Sequence, residues 1–211
     1  MPTNIYSYCI VPCNFTKGEE VSDINYGPLR FLIGDWESEG FRGMNRAPDP
    51  DRKVENTRFR QVMNFEPIGD VENHEQLLYA LKYDTKAWED GNDDDPFHEE
   101  VGYFIWDKQN RQVLKSFIVP RGIAVNAGGD VDINSTEFTV KAELGSPTYG
   151  ICSNKFLNDE FQTISYEVRF ELINENEFSY DENTRIKIKG QDRAFDHTEK
   201  NTLKRLTSKV N

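Results

Sequence analysis

The strongest constraint on the fold of this chain is an alternation of apolar and polar residues with a period of two. It is clearest around Tyr166, Val168 and Phe170, which alternate with Glu167 and Arg169. Such a pattern is typical of an antiparallel strand with one face buried and one face in water. One face of this predicted strand carries Gln162, Ile164, Tyr166, Val168, Phe170 and Leu172.

The same alternation recurs along most of the chain. After the turn residues Asn174, Glu175 and Asn176, a second strand is predicted from Phe178 to Ile188, and the two form a long hairpin. Further strands are predicted at Ile33–Gly40, Phe59–Phe65, Leu77–Tyr83, Val101–Trp106, Val113–Val119, Ile123–Asn126 and Phe138–Glu143. The strand at Phe59 is expected to end at Pro67 and Gly69, and one helical turn is expected near Gly27–Ile33.

About eight to ten short strands with almost no helix predict an all-β sandwich or barrel. Closure into an antiparallel up-and-down barrel removes exposed strand edges, and a barrel of this size can enclose one small ligand. At 211 residues the chain has the length of one domain. We expect an N-terminal extension over residues 1–25 and a single barrel over residues 26–211.

Charge and composition narrow the partners. The chain has 37 acidic and 25 basic residues, a net charge of −12. Without a basic patch it is a poor ligand for nucleic acid or anionic membranes. It shows neither a bilayer-spanning apolar stretch nor a recognisable signal peptide, so a cytoplasmic location is expected. Cys9 and Cys13 have no nearby Cys or His pair to complete a metal site, and their role stays open.

Candidate catalytic motifs are scarce. The sequence has three histidines: His74 in a polar loop, His98 at the start of a strand, and His197 just ahead of the last predicted strand, where a flanking acid could orient its ring. Zinc-protease, nucleophile-elbow and phosphate-binding motifs are absent. Glu99 and Glu100 are adjacent, so on a strand they face opposite ways. From pattern alone, the prediction is a ligand-sized antiparallel barrel.

Four segments resemble one known family in the order in which that family carries them. They are Gly27–Gly40 with Leu32-Ile33-Gly34-Asp35-Trp36-Glu37, Phe97–Tyr103, Val119–Val125, and Phe195-Asp196-His197-Thr198 followed by Asn201-Thr202-Leu203. Together they cover roughly residues 26 to 206 and are similar to the nitrobindin-like heme-binding β-barrels, also described as fatty-acid-binding-protein-like or lipocalin-like.

The resemblance implies a ten-stranded barrel with heme b as cofactor and His197 as the iron ligand. His98 would line the same region, and Trp36 would either pack the barrel floor or touch the heme edge. Arg121, with Arg42, Arg46 and Arg193, would supply positive charge for the heme propionates. The family is linked to nitric oxide binding and to isomerisation of peroxynitrite, which leaves an enzymatic activity open. A homodimer would be in keeping with the family.

Two alternatives stay open. After Trp36 the chain departs from the family's glycine-rich pattern, which favours a different small hydrophobic ligand held without iron. Glu182 and Thr184 share the parity of the buried face, and a carboxylate inside a barrel costs several kcal/mol unless it is paired or protonated. In the second alternative the barrel is filled by its own side chains and serves as a structural or partner-binding protein.

Overall fold

The computed structural model describes residues 23–92 and 94–206. It begins with a 3₁₀ helix at Asp23–Leu32 and contains one short α-helix, α1, at Lys155–Glu160. The strands are β1 Gly34–Ser38, β2 Gly43–Pro48, β3 Val54–Asn73, β4 Gln76–Glu89, β5 His98–Asp107, β6 Gln112–Val119, β7 Ile123–Asp130, β8 Glu137–Leu144, β9 Gly150–Ser153, β10 Phe161–Asn174, β11 Glu177–Ile188 and β12 Phe195–Arg205.

The strands form one sheet that closes into a ring. Neighbouring strands pair antiparallel around the sheet, and both β1 and β2 pair with β3 on one side and β12 on the other. β1 and β2 run in the same direction and act as one strand interrupted at residues 39–42. Short β9 is inserted between β7 and β8 and pairs parallel with β8. Without β9 the ring has ten strands, which confirms the predicted closed barrel of about ten strands.

Several boundaries differ from the sequence predictions. β3 does not end at Pro67 but continues to Asn73, because a register shift between Pro67 and Asp70 accommodates the residue that cannot donate to the ladder. A second shift, between Thr163 and Ser165, turns Thr163 into the barrel in place of Ile164. β2 has too few alternating residues to be recognised from the sequence, and the six residues of α1 are too few to show a helical period. His197 lies within β12 rather than ahead of the last strand.

We call the end that carries α1 and the β2–β3, β4–β5, β6–β7 and β11–β12 connections the upper end. Aromatic side chains fill the opposite, lower half. Phe104 packs edge-on against Phe65 and Phe170, and Trp36 packs edge-on against Phe178 with ring centroids 4.7 Å apart. This half of the barrel is a solid core that holds the walls of the upper half in place.

The 3₁₀ helix closes the lower end. Its Leu29 and Leu32 are fully buried in the aromatic core. Gly27, inside the helix, has φ 50° and lies so close to Trp106 that an added Cβ would come within 2.6 Å of the indole nitrogen. Only glycine fits this close approach.

Two earlier expectations fall mainly outside the described residues: Cys9 and Cys13, and most of the extension over residues 1–25. None of the helices in the described part of the chain has the length and apolar character needed to cross a bilayer.

Candidate functional site

The upper half of the barrel contains a cavity of about 420 Å³. This lies within the size range of small-molecule sites, so the barrel is not wholly filled by its own side chains. Its lining comprises Ala47, Pro48, Asp49, Pro50, His98, Glu100, Phe117, Val119, Arg121, Ile123, Val125, Leu157, Phe161, Thr163, Tyr166, Glu182, Thr184, Ile186, His197 and Glu199.

The cavity has an apolar wall and a polar floor. β6, β7 and α1 contribute the wall with Phe117, Val119, Ile123, Val125 and Leu157. The floor carries His98 and Glu100 from β5, Tyr166 from β10, Glu182 from β11, and His197 and Glu199 from β12. The strand period explains this convergence, since alternate residues of each strand point inward.

Glu100 is the centre of a buried hydrogen-bond network in the floor. It accepts a hydrogen bond from the hydroxyl of Tyr83, and its Oε1 lies 2.9 Å from Nζ of Lys115. Its other oxygen lies 3.8 Å from Nε2 of His98. A carboxylate with two cationic neighbours and a hydroxyl donor is well compensated for its loss of water.

Lys115 links this carboxylate to a second one. Its ammonium, only 3% exposed, donates to the Tyr166 hydroxyl at 2.6 Å, and Tyr166 in turn donates to Oε2 of Glu182 at 2.7 Å. The same ammonium lies 4.0 Å from the ring centre of Phe117. The Tyr166 hydroxyl thus bridges Lys115 and Glu182. The other carboxylate oxygen of Glu182 accepts a hydrogen bond from the Thr184 hydroxyl at 3.4 Å.

His197 is held on the opposite side of the floor. Its Nε2 lies 3.0 Å from Oδ1 of Asn45 and 3.3 Å from Oε1 of Glu199. An N–H on Nε2 would satisfy both of these oxygens. The acid that contacts the ring of His197 is Glu199, two residues along the same face of β12, whereas the flanking acid, Asp196, points outward to Arg185.

The register between β11 and β12 places two carboxylates of the floor opposite each other. In the β11–β12 ladder, Thr184 pairs with His197 and Glu182 pairs with Glu199. Carboxylates directly opposite on one face repel each other, and burial strengthens that repulsion. Glu182 and Glu199 are therefore the least compensated pair of the floor.

The protonation equilibria of the floor follow from these contacts. Burial by itself would raise the pKa of Glu100, but Lys115 and His98 outweigh it and bring that pKa down to about 2. Burial opposes the charged form of His98, yet Glu100, Glu199 and Glu182 raise its pKa to about 9. His98 is therefore an imidazolium at neutral pH.

Glu182 titrates in the opposite direction. Burial, reinforced by Glu199 and Glu100 against the effect of Lys115, raises its pKa to about 7. Despite burial, the hydrogen bond and charge of His197 lower the pKa of Glu199. Burial also raises the pKa values of Tyr83 and Tyr166 well above their usual range, so both hydroxyls remain donors. Of the three floor carboxylates, Glu182 alone exchanges its proton near neutral pH.

Ion pairs tie together the elements around the mouth. Arg52, in the β2–β3 connection, pairs with Glu160 of α1 at 2.6 Å and donates to the carbonyl of Lys189 in the β11–β12 turn at 2.9 Å. Lys189 pairs with Asp159 and Glu160, both at 2.7 Å. These contacts fasten α1 across one side of the cavity.

The structure brings together three of the four residues singled out from the sequence. His197, His98 and Arg121 all line the cavity. Trp36 is not among its lining residues: its indole donates to the carbonyl of Leu32 at 2.7 Å in the fully buried lower core. Of the two roles considered for Trp36, its position matches packing in the closed lower end of the barrel, which is distinct from the polar floor of the cavity.

The four arginines do not gather at the cavity. Arg121 lines it, with its guanidinium over the ring of Phe161. Arg46 lies over Phe195 and donates to the carbonyl of Asp196, and Arg42 pairs with Glu39 at 3.1 Å near the interruption between β1 and β2. Arg193 lies exposed in the β11–β12 turn.

The site residues that were not singled out from the sequence include Lys115, Glu199 and Asn45, and also Glu100, which was considered only as a pair with Glu99. Lys115 occupies an inward position between Val113 and Phe117, and a charged residue at the apolar parity of a strand was the available signal. Glu199 shares the parity of His197. Asn45 belongs to β2, a strand too short and polar to be recognised, so its inward direction had no signal.

A heme iron held by His197 would need the lone pair of one imidazole nitrogen. Nε2 of this ring lies 3.0 Å from Oδ1 of Asn45 and 3.3 Å from Oε1 of Glu199, so it would have to leave both oxygens to face an iron. For a free metal ion, the described part of the chain contains no group of three or more His, Cys, Asp or Glu side chains arranged to hold it.

Comparisons with known proteins give the same fold. The family model described as a THAP4-like, heme-binding beta-barrel domain matches residues 25–205. The crystal structure of Rv2717c from M. tuberculosis superposes with a TM-score of 0.57 at 17% identity, covering 85% of this chain and 98% of that one. A search of curated proteins gave no match. With most of its length matched, the chain belongs to the THAP4-like heme-binding β-barrel family, the nitrobindin-like family that its sequence resembles.

Proposed function

We propose that this protein binds one small organic ligand in the upper cavity without iron. The observation that carries the proposal is the division of the cavity into an apolar wall and a fixed, hydrogen-bonded polar floor. Sites for small molecules share this construction, in which apolar surface supplies affinity and a few polar groups fix orientation. The apolar body of the ligand would lie against Phe117 and Val125, with its polar head toward Glu182.

The contacts of the floor support an organic ligand over heme. The buried charges of the floor already compensate one another except around Glu182 and Glu199, and Nε2 of His197 is occupied by protein acceptors. Only Arg121, of the four arginines considered for the propionates, lines the cavity. A dianionic cofactor would add negative charge to a cavity whose floor already contains three carboxylates.

Native mass spectrometry of protein purified without added heme tests the proposal. We expect a co-purified organic mass that is released on denaturation and differs from that of heme. A protein that carries heme in place of any other mass would overturn the proposal.

Heme b bound through His197 is the second candidate, and membership of a heme-binding family favours it. It requires Nε2 of His197 to leave Asn45 and Glu199. Nitric oxide binding and peroxynitrite isomerisation both depend on this candidate. Homodimerisation and a cytoplasmic location stay predictions from the sequence.

An absorption titration with hemin separates the two candidates. If the cavity holds an organic ligand, we expect only weak, broad absorbance changes, and these should be the same for wild type, His197→Ala and the control His74→Ala. A sharp Soret band that saturates at one equivalent and disappears in His197→Ala but not in His74→Ala would establish heme binding instead.

A further inference from the structure

We propose that the head group of the bound ligand is a cation, an ammonium or amidinium on an apolar body, that lies between Glu182 and Glu199. This inference rests on the function proposed above and names the chemical class of the ligand. It follows from the cavity, from the charges in its floor and from the residues of its wall.

The charges of the floor are unevenly paired. Glu100 has Lys115 at 2.9 Å and His98 at 3.8 Å, so its charge is fully offset within the protein. Glu182 accepts hydrogen bonds from Tyr166 and Thr184, and within the described residues it forms no ion pair. Among the described residues, the polar contact of Glu199 is with the imidazole of His197, and the charge of His98 also favours ionised Glu199.

The strand register concentrates this imbalance at one place. Glu182 and Glu199 face each other across the β11–β12 ladder, on the face that lines the cavity. Two ionised carboxylates at such a position repel each other at a cost that a cation between them would remove. An anionic head group would increase the repulsion.

The rest of the cavity suits the remainder of such a ligand. The rings of Phe117 and Tyr166 line the path to the floor, and aromatic faces attract cations as well as apolar groups. Three protein cations border the cavity: Arg121 lies at the mouth in the β6–β7 turn, Lys115 lies behind the floor against Glu100 and Tyr166, and the imidazolium of His98 lies beside Glu100. The net charge of −12 also raises the concentration of cations near the surface.

Without a bound cation, a proton can neutralise Glu182. The side chains that face Glu182 from the neighbouring strands are His98, Glu100, Lys115, Tyr83, Tyr166, His197 and Glu199. Burial, reinforced by Glu199 and Glu100, raises the pKa of Glu182 to about 7 against the lowering effects of Lys115 and of the Tyr166 hydrogen bond. A ligand cation that enters as the ammonium form favours ionised Glu182, which releases its proton to the buffer. At pH 7 this exchange would release about half a proton per ligand.

Isothermal titration calorimetry with three probes that share one ring tests the inference. The probes are 2-phenylethylamine, 2-phenylethanol and 3-phenylpropionate, each titrated at pH 7 into the 211-residue protein in two buffers of different ionisation enthalpy. We expect the amine to bind at least tenfold more tightly than the alcohol and the carboxylate to bind most weakly. Proton release should accompany the amine alone.

Single-residue variants test which carboxylates bind the ammonium group. Glu182→Gln should weaken the amine at least tenfold, abolish proton release and leave the alcohol within threefold. Glu199→Gln should also weaken the amine. The control Glu99→Gln removes the same charge from the outer face of β5, where Glu99 pairs with Lys86, and should change nothing.

The outcomes separate this inference from the proposed function. Binding of the alcohol as tightly as the amine, or tighter binding of the carboxylate, would refute the cationic head group and leave an organic ligand in place. Failure of all three probes would also refute it, since the cavity can admit each of them. His197-dependent binding of hemin would refute the proposed function itself. The relative affinities of the three probes for the wild type distinguish these outcomes even if Glu182→Gln fails to fold.

Discussion

Lys115 illustrates how much of the site depends on a single buried charge. Its ammonium joins Glu100 to Tyr166 and is almost completely removed from water. A buried carboxylate that loses its partner retains the desolvation cost without the compensating attraction. The lysine therefore stabilises the floor chiefly by preventing Glu100 from being left unpaired.

Replacing this residue gives a stability prediction. Lys115→Met should lower the free energy of unfolding by about 3–5 kcal/mol, as for other broken buried ion pairs. Urea unfolding followed by tryptophan fluorescence measures it. Lys141→Met is the matched control, because Lys141 pairs with Glu167 on the outer surface and should cost less than about 1 kcal/mol. If Lys115→Met and Lys141→Met lose the same free energy of unfolding, the buried ion pair stabilises the protein no more than an exposed one.

His98 gives a pH prediction. Its folded-state pKa of about 9 lies above the usual 6.5, because Glu100, Glu199 and Glu182 face it. The stabilisation is complete below pH 6.5 and is lost as the pH rises through 9, by about 3 kcal/mol at most. Glu182, whose pKa is also raised, adds a loss between pH 4.5 and 7.

Denaturant unfolding at pH 6, 7.5 and 9 checks this dependence. His98→Gln should flatten the decline between pH 6.5 and 9, whereas His74→Gln, in the exposed β3–β4 turn, should retain it. If the free energy of unfolding falls with pH as steeply in His98→Gln as in wild type, a group other than His98 is responsible for the decline.

Among the elements, β11 and β12 show what local pattern can and cannot establish. Alternation in β11 correctly placed Phe178, Tyr180 and Glu182 on the inner face. It could not reveal that Glu182 lies opposite Glu199, because register depends on the pairing of two strands. Likewise, the shift at Thr163 interrupts the alternation of β10 in a way that side-chain chemistry alone does not signal.

The mouth elements give a prediction about motion. Arg52 fastens the β2–β3 connection to α1 and to the β11–β12 turn. Its ion pairs are partly exposed, so Arg52→Ala should cost less than about 1 kcal/mol in global stability. Amide exchange in residues 155–160 should nevertheless become faster, because this short helix loses one of its ties to the barrel and, among the described contacts, retains the pairs with Lys189 and the packing of Leu157.

Hydrogen exchange followed by mass spectrometry measures that effect. Arg169→Ala, which removes pairs with Glu137 and Glu171 on the outer face, is the control and should leave exchange at 155–160 unaltered. Equal exchange in wild type and Arg52→Ala would show that the pairs with Lys189 and the packing of Leu157 hold α1 without Arg52.

At the scale of the whole molecule, the barrel is divided between stability and binding. Aromatic packing and the 3₁₀ helix fill the lower half, whereas the charged floor and the apolar wall form the upper half. The lower core can therefore be weakened without altering the cavity.

Trp36 tests this division. Trp36→Phe should lower stability by about 1–3 kcal/mol through lost packing and the lost hydrogen bond to Leu32. The affinity for 2-phenylethylamine, measured by calorimetry, should stay within twofold of wild type. A larger change in affinity than in stability would place Trp36 in the binding site after all.

Alternation along the sequence was enough for the all-β class and for the inward direction of residues such as Tyr166 and Glu182, and four segment motifs were enough for the family resemblance, which implied the barrel. Each of these depends on local periodicity or on residues close together in the chain. The tertiary structure alone decided that Lys115, Glu100, Tyr166 and Glu182 form one network, and that Nε2 of His197 faces Asn45 and Glu199. These contacts join strands far apart in sequence, and their geometry follows from register and barrel closure, which no single segment encodes.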